Sequence, residues 1–167
     1  MAGGDVRAVE RIADVFAAMG RVTHIGPVGT GQMTKLANQI IVGATMAAVA
    51  EALHFAATGG ADPAAVRKAL MGGFADSRIL NIHGERMVER NFVPGGPAEY
   101  QLKDLRTAQA LAAASGMHFT LLDALVGMFG DLIDRFGTGL DVAGILQEVE
   151  RRSSVAPAEK RSARAPT

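Results

Sequence analysis

Gly26-Pro27-Val28-Gly29-Thr30-Gly31-Gln32-Met33-Thr34-Lys35-Leu36-Ala37-Asn38-Gln39 runs on through Ile40-Ile41-Val42 to a Gly59-Gly60 stop, and the rest of the chain is organised around it. A glycine-rich turn opens one long helix. Met33, Leu36, Ala37, Ile40, Ile41, Ala44, Ala47, Ala48 and Phe55 keep helical spacing. The middle of the helix, Gly43 to Ala50, is small and apolar nearly all round, the pattern of a central helix with neighbours on several sides. Lys35, Asn38 and Gln39 stand at i, i+3 and i+4, so they share a face one turn past the helix start. A lysine and two carboxamides beside backbone N–H groups without helical partners make a plausible oxyanion and proton-transfer site. A solvated polar first turn is the plain alternative.

Outward from this helix, the composition narrows the function classes. The chain has 167 residues, enough for one domain with a real core. Helix formers dominate and aromatics make up 5%, which favours an all-α fold over a sheet. Formal net charge is zero, so no field favours nucleic acid or an anionic membrane. Without cysteine, neither disulfides nor thiolate metal sites are possible. The first residues lack the basic and apolar regions of a signal peptide, and the apolar run from Ile40 to Ala50 is too short to span a bilayer. These features predict a soluble, cytoplasmic protein with no membrane partner. A mean hydropathy of +0.18 predicts apolar surface meant for a partner subunit or domain, hence a homo-oligomer.

Upstream of the long helix, Asp5 is a good N-cap for a helix from Val6 to Met19, with Val6, Val9, Ile12, Ala13 and Phe16 facing inward and Gly20 as its stop. Arg21 to Ile25 reads as a short strand. A lone strand cannot satisfy its backbone groups, so its sheet is expected upstream, outside this sequence.

Downstream, Asp62-Pro63 restarts the chain as N-cap and first helical residue, with Ala65, Val66, Ala69 and Leu70 turned inward. Ser77 caps a helix through Arg90, with Ile79, Ile82 and Met87 facing in. Pro94-Gly95-Gly96-Pro97 is a loop. Further helices are predicted from Ala98 to Gly116, from Thr120 to Phe136 and, capped by Asp141, to Arg152. Their inward residues are Leu102, Leu105, Ala108 and Ala112; then Leu121, Leu122, Leu125, Met128, Phe129, Leu132 and Ile133; then Val142, Ile145, Leu146 and Val149. Residues 153–167 are rich in Ser, Ala, Pro and Arg and read as a disordered tail.

Little else carries chemistry. Gly26-x-x-Gly29-x-Gly31 has the reverse of the dinucleotide-loop spacing. His24, His54, His83 and His118 lack ligand spacing, so no metal site is expected. Lys103-Asp104 is a charged pair on an otherwise apolar helix, by itself more often a solvated face than a site.

Gly29-x-Gly31-x-x-x-Lys35-x-x-Asn38-Gln39 resembles the β-hydroxyacid dehydrogenase family, which includes 3-hydroxyisobutyrate dehydrogenase and tartronate semialdehyde reductase and is related to 6-phosphogluconate dehydrogenase. Other stretches follow in order: Ala61-Asp62-Pro63, Met71-Gly72-Gly73-Phe74-Ala75, Ser77-Arg78-Ile79-Leu80, His83-Gly84-Glu85-Arg86-Met87 and Leu102-Lys103-Asp104-Leu105. The Met-Gly-Gly-Phe-Ala and His-Gly-Glu-Arg-Met segments are most similar to the tartronate semialdehyde reductase branch. The resemblance implies a two-domain parent, a Rossmann domain followed by an all-α domain joined through the long helix. It makes 1–27 the remnant of an absent Rossmann domain, 28–152 the all-α C-terminal domain and 153–167 a tail.

By the same resemblance Lys35 is the catalytic lysine, and Asn38 and Gln39 bind a small hydroxy-acid or aldehyde-acid substrate. Lys103 and Asp104 close over the nicotinamide end of NAD or NADP. The implied reaction is reduction of tartronate semialdehyde (2-hydroxy-3-oxopropionate) to glycerate, inactive in this chain alone without the Rossmann half. The alternatives are a 3-hydroxyisobutyrate dehydrogenase-like enzyme or a non-catalytic helical dimerisation module. Two positions depart from the family pattern: Gln39 stands where many relatives have a second Asn, and Gly96 where they commonly have Phe.

Overall fold

The computed structural model describes residues 1–153; most of the tail expected over 153–167 lies outside the described residues. Among the described residues the fold is all-α apart from one small sheet at the N-terminus. The elements run β1 (Ala2–Gly3), α1 (Val6–Arg11), α2 (Ala13–Met19), β2 (His24–Gly26), α3 (Thr30–Thr58), α4 (Pro63–Leu70), α5 (Arg78–Val88), α6 (Ala98–Ala114), α7 (Thr120–Phe136), a 3₁₀ turn (Val142–Gly144) and α8 (Ile145–Ser153).

The strand near Ile25 is not alone. β1 pairs with β2 in parallel, Ala2 opposite His24, and α1 with α2 forms the crossover that parallel pairing requires. Strand β1 lies within Met1 to Asp5, the stretch that by the family resemblance corresponds to the end of a Rossmann strand. The helix expected over Val6–Met19 breaks at Ile12, whose φ of −112° and ψ of 18° are not helical. Neither piece buries a residue: Val6, Ile12, Val15 and Met19 are all exposed.

Four N-caps are built from the expected side chains. Asp5 accepts from Ala8 N, Asp62 from Ala64 N, Ser77 from Leu80 N and Asp141 from Ala143 N. The helix α3 is the axis, packed against α4, α5, α6, α7 and α8. Leu36, Met46, Ala47, Val49, Ala50 and Leu53 of α3 meet Leu102 and Leu105 of α6, Leu125 and Phe129 of α7, and Ile145 and Val149 of α8 in one core. At 29 residues with a mean hydropathy of 1.7 in its most apolar window, α3 as a whole is long and apolar enough to cross a membrane, contrary to the reading from Ile40 to Ala50 alone. Its packing makes it the core helix of the bundle. The burial is one-sided, however: Met33, Ile41 and Phe55 are 51%, 66% and 80% exposed. Ile82 and Leu121, expected to face in, are exposed as well.

The glycines at the head of α3 have separate causes. Gly29, the N-cap, sits at φ 95°, in the left-handed region that favours glycine. Gly31 lies against β1, where a Cβ would stand 3.0 Å from Gly3 N and 3.2 Å from Met1 O. A Cβ on Gly3 would in turn meet Gly31 N at 2.8 Å. Strand β1 therefore packs closely against the first turn of α3 at Gly31.

Candidate active site

The site lies on the seam between α3 and α6, which pack against each other. Lys35 and Asp104 face each other across it, Nζ to Oδ2 3.5 Å, and Lys103 Nζ reaches Asp104 Oδ1 at 2.9 Å. One turn along, Gln39 Nε2 donates to Gln101 Oε1 at 2.9 Å, and Gln101 Nε2 donates to the Gln39 carbonyl at 2.8 Å. Asn38 Nδ2 donates to Gln39 Oε1 at 2.9 Å. The seam thus brings together Lys35, Asn38, Gln39, Lys103 and Asp104, the residues singled out in the sequence. It adds Gln101, which sequence reasoning passed over. Gln101 did carry a signal: Ala98, Gln101, Leu105, Ala108 and Ala112 form the inward stripe of α6 at spacings of three and four, and Gln101 is the polar member of that stripe. A buried carboxamide on an apolar stripe needs partners, and the other helix holds them.

Exposure grades across the seam. Gln101 is 4% exposed, and the side chains of Asp104, Lys35 and Lys103 are 14%, 42% and 70% exposed. Burial would raise the Asp104 carboxyl, but the Lys103 and Lys35 ammoniums outweigh it and hold it below the ordinary carboxylate range. Asp104 is therefore an anion at neutral pH, and it fixes where the Lys35 ammonium sits. The face beyond Lys35 and Asn38 is open. A hollow of about 420 Å³ lined by Glu51, His54, Phe55 and Met128 lies toward the other end of α3, roughly 28 Å from Lys35 at helical rise, and is a separate feature.

The start of α6 is set by a second cluster. Asp141, 1% exposed, accepts through Oδ2 from Gly95 N and Gly96 N at 2.9 Å each, and through Oδ1 from Ala143 N at 3.0 Å. Arg86 Nε and His83 Nδ1 stand 3.3 and 3.5 Å from Oδ1. Arg86 also donates to the Val93 carbonyl. Burial acts to raise the Asp141 carboxyl, but His83 and the backbone N–H groups overcome it and hold it far below the usual range. Gly96, one of the two departures from the family pattern, offers its N–H to this carboxylate. The four histidines lie apart, beside Gly4, Ser153, Asp141 and Asp123.

Residues 29–149 match the family described as NAD-binding of NADP-dependent 3-hydroxyisobutyrate dehydrogenase. The chain belongs to this family. It is 43% identical over 151 residues to 2-hydroxy-3-oxopropionate reductase of Escherichia coli K12, covering 90% of this chain and 52% of that protein. It is 42% identical over 113 residues to probable 3-hydroxyisobutyrate dehydrogenase-like 2, mitochondrial, of Arabidopsis thaliana, covering 68% and 38% of the two chains. Among solved structures, 3-hydroxyisobutyrate dehydrogenase from Salmonella typhimurium shares the fold with a TM-score of 0.82 at 23% identity, over 88% of this chain and 52% of that one. The chain spans about half the length of the E. coli reductase. The family supplies what a lone lysine on a helix could not, a nicotinamide cofactor, NAD or NADP.

The donor set is compatible with such a group. Lys103 leaves an exposed cation at the margin of the seam, beside the partly exposed Lys35 and the exposed Asn38.

Proposed function

We propose that this chain is the helical half of a cytoplasmic NAD(P)-linked reductase that converts 2-hydroxy-3-oxopropionate to glycerate, with Lys35 as the proton donor. The observation that carries the reading is the Lys35–Asp104 pair beside the Asn38–Gln39–Gln101 carboxamides, in a chain 43% identical to the E. coli reductase. A bound nicotinamide cofactor would supply the hydride for the aldehyde carbon. Lys35 gives a proton from Nζ to the carbonyl oxygen, so that C=O becomes CH–OH with hydride and proton both accounted for. In reverse the neutral amine accepts the alcohol proton. Asp104 keeps Nζ at the seam, Asn38 and Gln39 orient the substrate, and Lys103 borders the nicotinamide end of the cofactor.

The division of the chain follows from the same reading. Residues 1–27 are the end of an upstream nucleotide-binding domain, 28–152 the all-α domain and 153–167 a tail. The parallel β1–β2 unit supports this, because Val6, Ile12, Val15 and Met19 stay exposed and await a covering layer. The test is to fuse the first half of the E. coli reductase upstream of this chain and follow NAD(P)H oxidation with 2-hydroxy-3-oxopropionate. Turnover by the fusion and none by the chain alone is expected. A fusion that folds and binds nucleotide without turnover ends the reading.

Self-association belongs to this reading too. Met33, Ile41 and Phe55 leave an apolar stripe open along α3, larger than isolated surface residues require. The chain is expected to sediment as a homo-oligomer and Phe55→Glu to return it to monomer. A compact monomer at micromolar concentration would count against it.

A further inference from the structure

Gln101 has no role in the reaction just described, yet it is buried in the seam with both ends of its carboxamide bonded. Its Nε2 donates to the backbone carbonyl of Gln39. A backbone carbonyl only accepts, so this bond decides which end of the Gln101 carboxamide is nitrogen. Gln101 Oε1 must then face the Gln39 side chain, which answers with Nε2. Gln39 Oε1 is thereby turned to Asn38, which answers with Nδ2. One carbonyl at the buried end sets the polarity of the Gln101, Gln39 and Asn38 carboxamides in turn. The row ends at exposed Asn38, whose Oδ1 has no partner among the described residues.

We propose that Gln101 is a positioning residue that makes the site select a substrate with a hydroxyl, rather than a methyl, on the carbon next to the aldehyde. The inference rests on the reductase reading above. Asn38 lies one turn beyond Lys35, about 5–6 Å away between Cβ atoms. A substrate whose carbonyl oxygen meets the Lys35 ammonium therefore brings its next carbon within reach of Asn38. A hydroxyl there gives its proton to Asn38 Oδ1, which the row holds ready. A methyl group makes no such bond and leaves the carboxamide unpaired against it, the arrangement by which polar sites reject apolar analogues. Once Gln101 is removed, Gln39 and then Asn38 turn freely, and the hydroxyl substrate alone loses a pre-organised partner.

Two variants reach this row from different sides. Gln101→Met keeps volume and removes both bonds. Gly43→Ala leaves the carboxamides in place but puts a Cβ 2.8 Å from Gln101 Nε2, while the next contacts, the Leu105 methyls, are an ordinary 3.6 Å away. In the fusion described above, kcat/KM is measured with 2-hydroxy-3-oxopropionate and with 2-methyl-3-oxopropionate. The unsubstituted fusion is expected to prefer the hydroxyl compound. Both variants are expected to lower that preference about tenfold, the hydroxyl compound losing far more than the methyl compound, with KM for NADPH within about twofold. An equal fall on both substrates marks a structural role and overturns the proposal, as does an unchanged ratio or an initial preference for methyl. A fusion inactive on both compounds removes the reductase reading and this inference with it. An active fusion with an unmoved ratio removes only this inference.

Side-chain amide exchange in the unsubstituted 167-residue chain, followed by nuclear magnetic resonance, tests the row without any variant. Gln101 and Gln39 carboxamide protons should exchange well below the rate of free glutamine. Exchange at the free rate overturns the proposal.

Discussion

Lys35→Ala, in the fusion that supplies the nucleotide-binding half, is expected to lower kcat by about 10²–10⁴ while nicotinamide binding persists. The magnitude is that of a proton-transfer group removed from a hydride reduction. The hydride alone would leave an alkoxide, and water is a weaker acid and a less well placed donor than the Lys35 ammonium. Lys35→Arg separates charge from proton transfer. A guanidinium can still pair with Asp104 and keep the positive field at the carbonyl oxygen, yet it does not give up a proton in this range. It is expected to fall as far as Lys35→Ala. Near-normal turnover with arginine would show that charge suffices, and the general-acid role would be dropped. Asp104→Asn is expected to fall less than either: the lysine remains, but the anion that pairs with it is gone. The comparison is made on kcat at saturating nucleotide, so that a change at Lys103 does not enter.

Asp141→Ala carries the second large effect, on stability rather than on chemistry. The buried carboxylate satisfies three backbone N–H groups from two loops and faces the Arg86 guanidinium. Truncation strands all of them in the interior, at a cost of about 3–5 kcal/mol. That corresponds to a fall in Tm on the order of 10 °C for a chain of this size. The pH dependence has a definite sign. The folded carboxyl is depressed below its unfolded value, so its contribution is fully present above about pH 4, the unfolded value. The contribution shrinks as pH falls from there toward the folded value. The difference in stability between wild type and Asp141→Ala should thus narrow as pH falls below about 4. A gap unchanged down to pH 3 would show that the carboxylate charge contributes nothing. Since Asp141 also ties the start of α6 to the Gly95–Gly96 turn, loss of the cluster lets Asp104 drift from Lys35. The surviving folded fraction should show a lowered kcat.

Much of the fold was legible because its cause is local. Asp5, Asp62, Ser77 and Asp141 cap their helices through bonds to N–H groups no more than three residues on. The limits of α7, and the start of α6 after Pro97, follow from turn residues and from apolar spacing. Lys35, Asn38 and Gln39 share a face by helical geometry alone. What periodicity does not contain is which neighbour arrives. Ile82 and Leu121 continue apolar stripes on α5 and α7 but remain exposed, because a stripe is covered only as far as the next helix reaches. Ala2–Gly3 becomes a strand only because β2 lies beside it. Lys103-Asp104 reads as a solvated pair until α3 brings Lys35 to it.

From the sequence alone came the all-α class, the long axial helix, the lysine with its two carboxamides, and the family resemblance. Each is a property of residues a few positions apart or of a motif read in order. Tertiary structure alone decided that Asp104 faces Lys35, that Gln101 orients the Gln39 and Asn38 carboxamides, and that Asp141 anchors the Gly95–Gly96 turn. These pairs lie tens of residues apart along the chain. The packing of α6 on α3, with Gly43 admitting Gln101, and the return of the chain at Asp141 set their distances, and no local preference encodes those.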